Sequence, residues 1–367
     1  MSQSSSAGDE AANLRDHFLI HFILLASQRG FVHTAAAARN RTAIFRARHR
    51  RLLAILRSGT GSVVDRTCGR ARHGVWLAER APTTQKSGCI VYPSDEEVIG
   101  KLAPVLEEAF ETHLRRRRDW FAHDVVPPGA YEQVDVEDGV ASALYVNLLT
   151  EDNLPYYSRT LLNLLGDEGV WGGWIRRWTA EEGQHSIVLR DWIRATGALD
   201  LDVIERGRMH QVCGGRVPEP PNVLEALTYV SFQEKATAVA HRNTGKALGN
   251  ELGRSVMQKV AADEAHHYKL YCTLMGAGHE LWPDAAMIAV WEQVRRFAMP
   301  GEGIEDFDAH SAAISDVGIF GAEQLLTEVF EPIVGEWGLE TATGLGTDAE
   351  RARSRIFRRF ETVRRRA

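Results

Sequence analysis

One spacing of acids and histidines is repeated in this chain, and the repeat narrows the possible architecture more than any other feature. Glu-x-x-His occurs only twice, as Glu182-Gly-Gln-His185 and Glu264-Ala-His-His267. Residues three apart on a helix share a face, with Cβ atoms about 5–6 Å apart. Each unit can therefore offer a carboxylate oxygen and an imidazole nitrogen to one point. A further Glu lies upstream of each unit in an apolar-periodic stretch: Glu151, 31 residues before Glu182, and Glu234, 30 residues before Glu264. That interval suits a helix, a turn and an antiparallel return. At about 1.5 Å per residue, ~10–14 residues up and as many back leave a handful for the turn. Two such hairpins carry six polar side chains to one level of a helical bundle.

Four carboxylates gathered inside a bundle repel one another and are costly to desolvate unpaired. Two divalent cations would cancel them, and oxygen and nitrogen ligands without thiolate suit iron or manganese. A lone Glu from each of two helices, with Glu-x-x-His from each of two others, is the ligand pattern of ferritin-like di-iron bundles. The expected fold is all-α, a ferritin-like four-helix bundle core with additional packed helices. The expected metal ligands are Glu151, Glu182, His185, Glu234, Glu264 and His267, holding two iron ions per chain midway along the bundle. Asp263 and His266 form a competing pair one residue out of register. Glu264 with His267 is preferred because it repeats the chemistry of the other half. Asp263 is then free to hydrogen-bond a ligand histidine. A single Glu-x-x-His is usually a surface pair; the doubled unit with matched offsets carries the reading.

Charge divides the chain near residue 90. Residues 1–90 hold 14 basic and 5 acidic residues, whereas 91–367 hold 29 and 44. Thirteen of those 14 basic residues are Arg. This first segment is expected to be a disordered or loosely structured Arg-rich extension with no catalytic role, either an organelle leader or upstream sequence from a misplaced start codon. Its modest Ser and Thr content after Ser6 favours the second origin. Residues 91–367 are expected to form the di-iron domain. The longest apolar run, Phe18 to Ala26, is interrupted by His21 and is far shorter than the ~20 residues a membrane span needs. Cys68, Cys89, Cys213 and Cys272 are scattered without a C-x-x-C pair, as in a reduced, cytoplasmic protein.

Ser94, followed by Asp95-Glu96-Glu97, reads as a capped helix start, after which Val98, Leu102, Val105, Leu106 and Phe110 recur at helical spacing. Further helical stretches are predicted over about 139–165, 168–196, 222–248, 250–275, 284–298 and 318–337, punctuated by Pro and Gly clusters. The Arg-rich end, Arg351 to Arg366, reads as a solvated or interaction helix.

At the ligand residues the sequence resembles the soluble acyl-carrier-protein desaturases, most closely their actinobacterial branch. The matching segments are Leu149-Thr-Glu-Asp-Asn-Leu-Pro155, Trp178-Thr-Ala-Glu-Glu182, Tyr229-Val-Ser-Phe-Gln-Glu234 with His241-Arg-Asn-Thr-Gly245, and Ala261-Ala-Asp-Glu264. The similarity covers about residues 95–340, and the family's ligands fall on the same six positions. The resemblance implies an oxygen-dependent enzyme of fatty acid biosynthesis. It would introduce a cis double bond into an acyl chain carried on acyl carrier protein and held in a hydrophobic tunnel, with electrons from ferredoxin. It also implies a homodimer. Thr237, one turn after Glu234, matches a threonine near the family's oxygen site. Trp120, Trp178 and Asp263 match positions proposed as an electron path. The chain departs from the family's Glu-Glu-Asn-Arg-His-Gly at Glu181-Glu-Gly-Gln-His-Ser186, where Gly183 within a helix implies a local packing reason.

Acyl carrier protein and ferredoxin are acidic, as are residues 91–367, so docking needs local basic patches. Arg115, Arg116, Arg117 and Arg118 are the leading candidates, with Arg176-Arg177 and Arg295-Arg296 behind them. No feature points to nucleic acid. Three other readings share parts of this pattern. A ferritin-like iron-binding or oxidase protein would turn over iron without an organic substrate. A ribonucleotide reductase radical subunit would have Asp as its first ligand and a Tyr beside the metal; here Glu151 stands first and Pro155 sets Tyr156 and Tyr157 at an awkward point. An inactive homologue acting as a partner would not need all six ligands.

Overall fold

The computed structural model describes residues 92–301 and 303–366, so the expectation for residues 1–90 lies outside the described residues. The first helix, α1 (Asp95–Arg116), begins where the capping pattern places it. The Ser94 hydroxyl accepts from the Glu97 N–H at 3.2 Å, and three acidic residues occupy the positive end of the helix. A short α2 (Ala122–Val125) leads to α3 (Asp138–Glu151) and α4 (Leu154–Leu165). The sequence predicts one helix across 139–165, but the structure breaks it at Asp152-Asn153. Pro155 has no N–H to continue the ladder and sits in the first turn of α4 instead. The fully buried Asn153 fixes the corner, its amide donating to the carbonyls of Pro300 at 3.2 Å and Arg216 at 3.3 Å.

The chain continues through α5 (Gly169–Thr196), α6 (Leu201–Gly214), α7 (Val223–Ala247), α8 (Glu251–Leu281), α9 (Pro283–Arg296) and α10 (Phe307–Asp316). A turn, α11 (Ala322–Gln324), passes into a π-helical stretch (Leu325–Phe330) and then α12 (Glu331–Glu336), before α13 (Thr347–Arg364). There is no strand among the described residues, and none of their helices is long and apolar enough to cross a membrane. The helix α6 is absent from the sequence expectation because it buries only Ile204 and Gln211, too little to leave an apolar period.

Helices α3, α5, α8 and α7 close a ring in which each touches the next, and these are the four helices that carry the expected ligands. The helix α1 packs across α5, α7 and α8, while α9 lies on α7 and α10 on α3. The interior divides into two apolar clusters. One gathers Trp174, Trp178, Phe232, Tyr271 and Phe330; the other gathers Leu144, Leu148, Val188, Trp192 and Val260. Along α5 the first cluster ends at Trp178 and the second begins at Val188. Along α8 the second ends at Val260 and the first resumes at Tyr268. The ligand residues occupy the polar layer left between them.

The C-terminal helix differs from its sequence reading. Ala349, Ala352, Ile356 and Phe360 form a buried stripe one turn apart, and Phe360 stacks on Phe330 with ring centroids 6.0 Å apart. The arginines occupy the other faces, so α13 is an amphipathic element packed on α9, not a solvated tail. Ile356→Ala is expected to cost about 2–5 kcal/mol in chemical denaturation, the usual range for truncating a fully buried aliphatic side chain. Unchanged stability would mean that α13 is not part of the folded core.

Candidate metal centre

Glu151 is the last residue of α3; Glu182 and His185 lie one turn apart on α5, Glu234 on α7, and Glu264 and His267 one turn apart on α8. All six are buried. Their ligand atoms fall into two overlapping groups, Glu151, Glu182, His185 and Glu264, and Glu182, Glu234, Glu264 and His267, each within 4.8 Å.

Glu182 and Glu264 belong to both groups, and each divides its two oxygens between them. Glu182 Oε2 lies 3.3 Å from His185 Nδ1, and Glu182 Oε1 lies 2.8 Å from His267 Nδ1. Glu264 Oε1 lies 3.4 Å from His185 Nδ1, and Glu264 Oε2 lies 3.7 Å from His267 Nδ1. Glu151 and Glu234 each serve one side, at 3.5 Å from His185 and His267 respectively. Two bridging carboxylates, two terminal carboxylates and two imidazoles suit a pair of adjacent metal ions. Glu182 Oε1, His185 Nδ1, Glu234 Oε2, Glu264 Oε2 and His267 Nδ1 are all buried without a hydrogen-bond partner. Buried polar atoms are seldom left in that state, and here they converge on one space. The donors fit divalent metal ions that prefer oxygen and nitrogen ligands.

The second histidine nitrogens explain why Nδ1 faces inward. His185 Nε2 is 3.4 Å from Asp263 Oδ2, and His267 Nε2 is 2.9 Å from Glu181 Oε2. A carboxylate that takes the Nε2 proton fixes the tautomer and turns the Nδ1 lone pair towards the metal. Asp263 thus lies within reach of His185, one of the two histidines it could hydrogen-bond. His266 does not reach the ligand groups; its ring sits against His113, with centroids 6.1 Å apart. Trp120 Nε1 donates to Asp263 Oδ2 at 2.8 Å, and Trp178 Nε1 donates to Glu234 Oε1 at 3.1 Å. The buried Thr237 hydroxyl donates within α7, 3.1 Å from the carbonyls of both Gln233 and Glu234. A Cβ at Gly183 would meet nothing within 4 Å, so the packing reason expected there is absent and nothing in the structure explains this glycine.

Arg117 is corrected. The sequence places it in a basic docking patch with Arg115, Arg116 and Arg118, but its side chain is 3% exposed, whereas the other three arginines are exposed. Helix α1 ends at Arg116, so Arg117 turns inward to meet the buried acids beneath the histidines. Arg177 and Arg296 are likewise committed, to Glu181 and Asp119 and to Glu225.

Sequence reasoning missed Glu181, His113 and His241. Glu181 accepts from His113 Nε2 at 2.9 Å as well as from His267. His241, two turns beyond Glu234 on α7, reaches Glu151 Oε1 at 2.8 Å through Nε2. A signal for Glu181 was present: an acid immediately precedes the glutamate of each Glu-x-x-His unit, as Glu181-Glu182 and Asp263-Glu264. Each of those acids holds the histidine of the opposite half. His113, Glu181 and His267 also form a compact trio, but arginines already neutralise Glu181, which favours an ion-pair network over a third metal position.

Burial disfavours charge on both ligand histidines, yet Glu182 and its neighbours for His185, and Glu181 and its neighbours for His267, raise both well above the ordinary histidine range. Burial and then the charge of Glu264 push Glu234 well above the usual carboxylate range. Glu264 is held well below that range, since the close imidazoles of His185 and His267, 3.4 and 3.7 Å away, outweigh its burial.

A family model described as "Fatty acid desaturase" matches residues 94–367. An acyl-(acyl-carrier-protein) desaturase of Mycobacterium tuberculosis, DesA1, is 33% identical over 277 residues, covering 69% of this chain and 82% of its own. A chloroplastic stearoyl-(acyl-carrier-protein) 9-desaturase of Arabidopsis thaliana is 31% identical over 238 residues, covering 60% of each. The X-ray structure of DesA2 from M. tuberculosis superposes with a TM-score of 0.55 at 24% identity, over 67% of this chain and 97% of that one. It shares the fold.

Metal ions compete with protons for the imidazoles of His185 and His267 and for the carboxylates around them, so uptake should weaken as pH falls. The apparent affinity for Co(II), titrated anaerobically between about pH 8 and about pH 6, is expected to drop up to about tenfold per unit for each proton displaced. An affinity independent of pH would contradict this protonation pattern.

Proposed function

The chain belongs to the fatty acid desaturase family, and from that premise we propose that it desaturates an acyl chain carried on acyl carrier protein, in fatty acid biosynthesis. The observation that carries the proposal is the split of Glu182 and Glu264 between two histidine-bearing positions. That arrangement serves a pair of metals sharing two carboxylates, and the named relatives supply the substrate class. We take the metals to be two iron ions per chain. The reaction converts one CH2–CH2 unit to a cis CH=CH. Dioxygen takes up two hydrogens from the chain together with two electrons and two protons, and two waters leave.

When bound, the metal pair supplies the reductive activation of dioxygen. The protein's part is to hold, orient and seal. Glu182 and Glu264 fix the separation of the two positions, while Glu151 and Glu234 close their outer sides. Asp263 and Glu181 keep each imidazole in one tautomer and rotation. The buried apolar layers above and below the site exclude bulk water, which would otherwise compete with an unactivated C–H bond for the oxidant. The Thr237 hydroxyl lies one turn from Glu234 with its proton directed to α7 carbonyls, leaving a lone pair able to accept a proton. Trp120, 6% exposed and hydrogen-bonded through Asp263 towards His185, supports a route for electrons from a ferredoxin-like donor. Exposed Arg115, Arg116 and Arg118 offer positive charge to an acidic carrier or donor. A homodimer in the cytoplasm completes the proposal.

Iron-loaded protein, given a reduced ferredoxin, oxygen and C14 to C20 acyl-carrier substrates, should release fatty acids two mass units lighter by mass spectrometry. Glu182→Ala should release none, since both metal positions lose a ligand. Saturated products alone, from protein holding both irons, would defeat the proposal for these chain lengths.

A further inference from the structure

We infer that Arg117 is a positioning residue for both metal-ligating imidazoles at once, acting through Asp263 and Glu181. The inference rests on the metal-site reading above.

Its guanidinium spreads three nitrogens over three carboxylates. Nη2 donates to Asp263 Oδ2 at 2.8 Å, Nη1 donates to Asp119 Oδ1 at 2.8 Å, and Nε lies 3.3 Å from Glu181 Oε2, an ion-pair distance. The Asp263 and Glu181 oxygens concerned are the ones that face the imidazoles. Asp263 Oδ2 also meets His185 Nε2 at 3.4 Å and Trp120 Nε1 at 2.8 Å. Glu181 Oε2 also meets His267 Nε2 at 2.9 Å and His113 Nε2 at 2.9 Å. Arg117 therefore sets where each imidazole finds its acceptor.

The two acids stand on different helices, Glu181 on α5 and Asp263 on α8, so the guanidinium ties the two halves of the site together. Its own position is fixed. Arg117 caps α1, with its backbone N–H on the His113 carbonyl at 2.9 Å, and its side chain is 3% exposed. Arg177 approaches the same cluster but contacts Glu181 through the other oxygen, Oε1, and reaches Asp119 instead of Asp263. A planar fork with donors at fixed angles can hold two acids in register; an ammonium on a flexible stem offers one point of charge. Both contacts, the hydrogen bond to Asp263 and the ion pair with Glu181, are desolvated, so neither acid can replace Arg117 with bulk water.

The test is anaerobic Co(II) titration of the full chain, followed by absorption and magnetic circular dichroism in the visible region, with helical content and metal-free melting recorded for every variant. Asp263→Asn and Glu181→Gln each remove one acid, and should perturb mainly the Co(II) beside His185 or His267 respectively. Arg117→Lys keeps the buried charge but cannot span both acids, and is expected to alter both Co(II) signatures and weaken both ions by about tenfold or more. Arg117→Gln, which keeps donors without charge, provides the same reading should the lysine variant fail to fold. Wild-type affinity and spectra in a folded Arg117 variant, or a change confined to one ion, would overturn the inference. Failure of the unsubstituted protein to take up two Co(II) ions would instead defeat the metal-site reading beneath it.

Discussion

Four carboxylates, those of Glu151, Glu182, Glu234 and Glu264, are buried in two overlapping groups that share Glu182 and Glu264, and the rest of the bundle is arranged around that electrostatic problem. Left unpaired, they would cost several kcal/mol each to desolvate. The imidazoles of His185 and His267 lie among them, and although burial disfavours their charge, the surrounding carboxylates raise both well above the ordinary histidine range. Divalent metal ions would be stronger counter-charges than protons, and the same carboxylates converge on the space they would fill. Burial, which makes the site costly, also keeps competing water from it.

Around this layer the charges are ordered outward by sign. The ligand carboxylates face the centre; His185 and His267 connect them to Asp263 and Glu181; Arg117 and Arg177 then balance that outer pair. Each charge in the series meets one of opposite sign, and Arg177, its side chain 28% exposed, carries the series to the surface. The mechanical scaffold follows from the same logic. The apolar clusters on either side of the polar layer hold α3, α5, α7 and α8 at a fixed level, so the ligands need no loop to place them.

The clustering of Glu151, Glu182, His185, Glu234, Glu264 and His267 was legible because their spacing is dictated by helix geometry alone: three residues within a unit and about thirty between units. The family of the chain followed from motifs around the same residues. The acids beneath the histidines were half legible. Asp263 was found from its place beside Glu264, whereas Glu181, in the equivalent place beside Glu182, was passed over. Arg117 was not legible, since it reaches Asp263 across 146 residues and sits in a run of four arginines that reads locally as a surface. The same confusion of composition with exposure affected α13, where a buried stripe of Ala349, Ala352, Ile356 and Phe360 is hidden among arginines. Pro155 was seen, yet its consequence, a buried corner closed by Asn153, depends on carbonyls from residues 216 and 300 that only the tertiary fold brings near.

The central claim is that these six side chains hold two metals through shared glutamates. Anomalous scattering from crystals soaked anaerobically with Fe(II) tests it most directly. The account predicts two peaks inside the bundle, one beside Glu151 and His185, the other beside Glu234 and His267, with Glu182 and Glu264 reaching both. No peak, a single peak, or a metal held by His113, Glu181 and His267 would contradict it.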